Sequence, residues 1–161
     1  MKLRYFAAAS VLLVAITCPA FAQSDAPEHA TATTANDTPE SRKALFRRLV
    51  EAYAKADLPA LDQLIAPNYV GHPSTGDRDL EGLRQSILYF HKLFIYAPDS
   101  FDINDQLVDG EKVVTRMTAH VKSRATGEPI TMIGINIARI VNGKLVEEWN
   151  TWEQLHPAPS N

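Results

Sequence analysis

The chain has 161 residues, a formal charge of −3 and a single cysteine, Cys18. That length supports one domain with a core of its own. The charge is mildly acidic and Lys and Arg form no long block, which argues against nucleic acid and anionic membrane surfaces as partners.

Residues 1–22 read as a signal peptide. Lys2 and Arg4 give a positive start, "FAAASVLLVAIT" an apolar middle too short for a comfortable membrane span, and Ala20-Phe21-Ala22 a cleavage site before Gln23. A lipoprotein signal at Cys18 is the competing reading, disfavoured by Thr17 before it and Pro19 after it. Cleavage after Ala22 removes Cys18, and loss of Lys2 and Arg4 takes the formal charge from −3 to −5. No thiol then remains for a disulfide, a cysteine-zinc site or thiol catalysis. The expected location is periplasmic or secreted, with no membrane contact after signal cleavage.

Residues 23–38 are rich in Thr, Ala and Asp and hold no large apolar side chain, so they read as a disordered linker. The folded domain is expected over 39–156, with 157–161 as a tail. Pro39 opens a helix capped by Asp37 or Thr38, with Leu45, Leu49, Ala52, Tyr53 and Ala56 at helical spacing. A second, short helix follows the cap candidate Asp57, carries Leu58, Leu61, Leu64 and Ile65, and is expected to stop at Pro67. "NYVGHP" is a short extended piece, since a residue before proline avoids the helical region. A third helix is expected from about Asp79 to Tyr96, with Leu83, Ile87, Phe90, His91 and Phe94 on one side.

From Ser100 the period is that of strands. "FDINDQLV", "KVVTRMTAHVK", "PITMIGINIARI" and "LVEEWNTWEQL" are joined by the turns "DGE", "ATGE" and "VNGK". Helices first and hairpin-linked strands after predict an α+β fold, a curved antiparallel sheet with three helices on its concave face. A cavity between them is the natural small-molecule site.

Four stretches carry a family resemblance. "GINIARIVNGKLVEEWNTWEQL" resembles the pattern G-[ILV]-[DN]-I-x-R-I-x-x-G-K-[IL]-V-E-E-W-[DN], and "KADLPALDQLIAPNYVGHPS", "DLEGLRQSI" and "DGEKVVTRMT" look like its upstream motifs in the same order. Together, over Pro39 to about Leu155, the chain resembles the SnoaL-like polyketide-cyclase and ester-cyclase branch of the nuclear-transport-factor-2-like superfamily. The resemblance implies a cone-shaped fold, an apolar pocket, no metal, no organic cofactor and a homodimer through the sheet. It also implies ring closure by intramolecular aldol condensation with an acidic side chain as acid/base. Two departures stand out. Asn150 occupies a place where the aldol-cyclase pattern often has Asp, and an amide can donate a hydrogen bond but cannot exchange a proton at useful pH. The hairpin after Thr118 lacks the longer insertion that supplies a pocket His, so His120 is not a clean match.

The catalytic candidates are His72, Asp105 and Asn150; the binding candidates are Arg116, Asn136, Trp152 and His120. His72 has two open readings, a pocket-mouth acid/base with a pKa near working pH or a histidine fixed by its His-Pro turn. Asp105 shares a strand face with Phe101, Ile103 and Leu107, which marks it as a substitute base or as one half of an ion pair with Arg116. Arg116 itself is a pocket anchor or a structural partner of Asp105 or Glu148. Glu148, Asn150 and Trp152 share one face by strand parity. His72, His91 and His120 sit on separate elements without ligand spacing, so no metal site is expected. Two functions follow: a cofactor-free cyclase or isomerase acting on a small carbonyl compound, or a non-catalytic exported binder of a small hydrophobic ligand.

Overall fold

A computed structural model describes residues 37–156. The chain forms α1 (Pro39–Lys55), α2 (Leu58–Leu64), β1 (Ile65–Pro73), α3 (Leu80–Leu93), β2 (Phe94–Ile95), β3 (Phe101–Asp109), β4 (Lys112–Ser123), β5 (Pro129–Val141) and β6 (Lys144–Gln154). The expected signal peptide, nearly all of the expected linker and the tail lie outside the described residues.

Local chemistry sets the helix ends. Thr38 caps α1 in a reciprocal box with Ser41, and Asp37 pairs with Arg42 at 2.8 Å. Asp57 and Asp79 cap α2 and α3 by accepting from the amides of Ala60 and Gly82. Ala56 closes α1 with φ +50, a left-handed position that glycine usually takes. The second helix stops at Leu64 rather than Pro67, and Ala66 and Pro67 already belong to β1. The third stops at Leu93 rather than Tyr96, because Phe94 and Ile95 turn extended to pair with Ser123 and Lys122 of β4.

The sheet runs β1-β6-β5-β4-β2, with β3 also pairing β4 along the edge that β2 extends. The β2–β6 part is antiparallel throughout, as the short turns require. The Asn142-Gly143 turn between β5 and β6 has positive φ at both residues, the geometry that Asn-Gly favours. β1 adds a parallel pairing against β6, so the sheet is mixed at one edge. The intervening α3 and β2–β5 supply the long connection that a parallel neighbour needs. Bulges interrupt the ladders between Ile103 and Asp105 and between Arg139 and Ile140, and such bulges bend and twist a sheet.

The core lies between the helices and the inner sheet face. Leu45, Phe46 and Leu49 of α1, Leu61 and Leu64 of α2, and Leu83 and Ile87 of α3 meet Val113, Met117, Ala138, Ile140 and Leu145. Burial of each large aliphatic side chain stabilises the fold by about 1.5–3 kcal/mol. Along β4 the odd residues 113–121 are buried, while Arg116 and His120 are exposed. That alternation decides which polar residues can reach the interior.

Candidate functional site

Between α1, α3 and the inner sheet face lies a cavity of about 420 Å³. Its size is within the range of small-ligand sites. Aromatic rings form much of one side. Tyr53 and Tyr96 meet Phe101 at 5.8 Å each, and Phe101 meets Trp152 edge-on at 6.1 Å. Gly134 lies opposite Trp152 across the β5–β6 ladder, and the indole covers it so closely that a Cβ there would sit 2.5 Å from the ring. Glycine at 134 is therefore what allows Trp152 to lie flat as cavity wall.

The other side is polar. Among the described residues, Glu148 and Arg78 are the one carboxylate and the one cation around the cavity. Both are largely covered, with side chains 13% and 19% exposed, and their charged atoms lie 4.0 Å apart. Tyr69 donates its hydroxyl to Glu148 Oε2 at 2.7 Å, and Asn136 donates Nδ2 to Oε1. Arg78 donates to Ser86 Oγ at 3.1 Å, while its Nε has no partner among the described residues. Burial first, and the negative charge of Glu148 second, push the Tyr69 hydroxyl far above its ordinary ionisation range. Burial first, and Tyr96 second, do the same to Tyr53. Both phenols are therefore neutral donors at any ordinary pH. Gly71 is needed here too, since a Cβ would lie 2.3 Å from the Tyr69 hydroxyl and 3.2 Å from Arg78 Nε.

Of the sequence candidates, Asn136, Asn150 and Trp152 border the cavity, and Glu148 shares their face as strand parity predicts. The other four do not. His72 faces the outer side of the sheet, because Tyr69, Gly71 and Pro73 take the inner positions of β1. Its ring stacks on Trp149 at 5.1 Å, and its Nδ1 and Nε2 donate to Asp77 at 2.8 Å and Glu147 at 3.2 Å. The expectation that His72 and Asn150 border one cavity therefore fails, and His72 has no place in the chemistry of this cavity. Arg116 and His120 also point outward, on the even positions of β4, and His120 pairs with Asp102 at 3.2 Å. Asp105 is exposed because the bulge at Asn104 reverses the parity of β3, so Gln106 and Val108 continue the covered side. It lies opposite Arg116 on the outer face, away from Glu148.

Sequence reasoning missed Arg78 and Tyr69, and it placed Glu148 on the face of Asn150 and Trp152 without naming it a site candidate. Arg78 lies in a loop without periodicity, and nothing local signals that Gly71 draws it inward through paired backbone bonds of 2.8 and 2.9 Å. For Glu148 a signal existed, since it shares parity with Asn150 and Trp152.

Comparison with known proteins agrees with this fold. The profile of the SnoaL-like domain matches residues 46–148. IdmH from Streptomyces antibioticus, a candidate polyketide cyclase, is 27% identical with a TM-score of 0.61, over 70% of this chain and 91% of its own. AclR from Streptomyces galilaeus, a candidate hydroxylase, shares the fold at 21% identity and a TM-score of 0.64, over 72% and 91% of the two chains. So does a candidate polyketide cyclase from Acidithiobacillus ferrooxidans, at 23% and 0.60, over 70% and 87%. No curated protein matches the sequence. The profile runs from within α1 to the carboxylate at the polar end of the cavity, and by that match and the shared fold this chain belongs to the SnoaL-like domain family.

Proposed function

We propose that the domain is a cofactor-independent cyclase or isomerase that moves protons on a small, largely apolar carbonyl compound. The observation that carries this reading is the placement of Glu148 and Arg78 together in a cavity whose remaining lining is uncharged, largely apolar and in part aromatic. The carboxylate of Glu148 takes a proton from the carbon beside a carbonyl. The electron pair moves onto the carbonyl oxygen, and the enolate accepts hydrogen bonds from Arg78 and from the neutral Tyr53 hydroxyl, with the Asn150 amide as a further donor. In ring closure the enolate carbon then bonds to a second carbonyl carbon, and the resulting alkoxide recovers the proton from the Glu148 carboxyl. For isomerisation the proton returns to a different carbon instead.

A second reading, a non-catalytic binder of a small hydrophobic molecule, has one observation in its favour. Both Glu148 oxygens are already engaged by Tyr69 and Asn136, as in a carboxylate kept for structure. Native mass spectrometry of protein purified from its own host, followed by turnover of the retained molecule, separates the two. For the enzyme, Glu148→Gln lowers turnover by roughly 100-fold, the scale of losing a general acid/base. For the binder, the retained molecule leaves unchanged, and Trp152→Ala weakens its binding more than Glu148→Gln does.

A further inference from the structure

The outer face of β1 holds a charged cluster that the proposed chemistry does not use. His72 lies between Asp77 and Glu147, Glu147 accepts from Arg139 Nε at 2.8 Å, and Arg139 reaches Glu111 at 3.6 Å. Trp149 stacks under the imidazole, and Lys112 sits 5.4 Å over the indole. Both partners of His72 are carboxylates, which only accept, so both ring nitrogens donate and the ring is held as a cation.

The position of the cluster gives it a second meaning. Gly71 and Arg78 form a two-residue antiparallel bridge that closes the loop 72–77. Side chains alternate along such a ladder. At this bridge Arg78 reaches the cavity, and a Cβ on Gly71 would meet the Tyr69 hydroxyl and Arg78 Nε, while the flanking His72 and Asp77 bond each other through their side chains. The same loop therefore presents Arg78 to Glu148 on the inside and Asp77 to His72 on the outside.

We infer that His72 is a positioning residue: by clasping Asp77 from outside the sheet, it holds the Arg78 loop in place and so fixes the guanidinium at the polar end of the cavity. Glu147 anchors the clasp to β6, and Arg139 and Glu111 anchor Glu147 in turn. Trp149 holds the plane of the imidazole. The hydrogen bonds that His72 donates to Asp77 first and to Glu147 second hold its proton on above the ordinary 6.5. A neutral imidazole has one N–H and cannot serve both carboxylates, so the clasp weakens as pH rises through that raised value. This inference rests on the proposed chemistry only for the use made of Arg78; the mechanical link stands apart from it.

Hydrogen exchange and NMR on the whole protein test the link without any substrate. The readouts are the protection of the 72–79 amides, corrected for intrinsic rates, and the Nε–H signal of Arg78. In the wild-type protein at pH 6 the segment is protected and the Arg78 signal is sharp. His72→Ala and Asp77→Ala each lower protection about threefold and broaden the signal, the modest scale of a partly exposed charged pair. The double variant is no worse than His72→Ala alone, because that substitution already removes the contact that Asp77→Ala removes. At pH 9 the wild type moves toward the variants while they change little. Unchanged protection and an unchanged Arg78 signal in both variants, or fully additive effects, overturn the inference. Asp77 is 73% exposed in its side chain, so its variant folds and keeps the test decisive. An inactive enzyme with an intact clasp would count against the proposed chemistry alone, and a broken link in an active enzyme against this inference alone.

Discussion

The Glu148 carboxyl meets three polar neighbours, Tyr69, Asn136 and Arg78, and it borders a space a ligand can enter. Tyr69 and Asn136 fix its direction, and the covered setting strengthens each interaction relative to water. Gly134 serves the same cavity from the opposite side. Gly134→Ala forces the Trp152 indole off the strand, and the expected outcome is a changed cavity width with ligand affinity lowered about tenfold, roughly the loss of one good aromatic contact. Isothermal titration with the retained molecule measures it, and a crystal structure of the variant shows where the indole goes. At this scale the sequence was legible where parity ran unbroken. Asn150 and Trp152 share a face by alternation, and the family resemblance pointed that face toward the pocket. Alternation fails for Asp105, since one extra residue in β3 turns the rest of the strand over. His72 failed for a related reason: the short stretch around it gave no face until the flanking Tyr69 and Gly71 proved to be the buried ones.

At the scale of elements, the β1–α3 connection is the part least apparent in the sequence and most tied to the site. Helices α1 and α3 announce themselves by spacing and caps, and the β5–β6 hairpin by Asn-Gly. The parallel pairing of β1 with β6 had no local cue, because its partner lies some 80 positions along the chain. The ionic clasp on that edge gives a pH signature. Hydrogen bonding from Arg139 first, and from His72 further down, holds Glu147 below its ordinary 4.5. A depressed carboxylate contributes stability that is present above 4.5 and lost as pH falls through its folded value; a raised histidine contributes stability present below 6.5 and lost as pH rises through its folded value. The pair therefore contributes most between those two ordinary values. His72→Ala should lower Tm more at pH 5.5 than at pH 9, and thermal melts at the two values check the sign.

At the scale of the molecule, the α+β class and the three-helix, curved-sheet plan were legible because helical and strand periods occupy separate halves of the chain. Export is a proposal from the sequence of residues 1–22, which lie outside the described residues. Among the described residues no helix is long and apolar enough to cross a membrane. N-terminal sequencing of protein from a periplasmic or secreted fraction of its host is expected to start at Gln23. A lipid-bearing Cys18 at the N-terminus would replace that picture with an anchored protein.

The claim that this cavity moves protons meets its most direct test in deuterium exchange. The retained host molecule, incubated with the protein in D₂O, is followed by NMR at the carbon beside its carbonyl. The wild-type protein is expected to exchange that position well above the uncatalysed rate, with a fall of roughly 100-fold for Glu148→Gln at saturating ligand. Binding of the molecule without enhanced exchange, or exchange that Glu148→Gln leaves untouched, would contradict the claim.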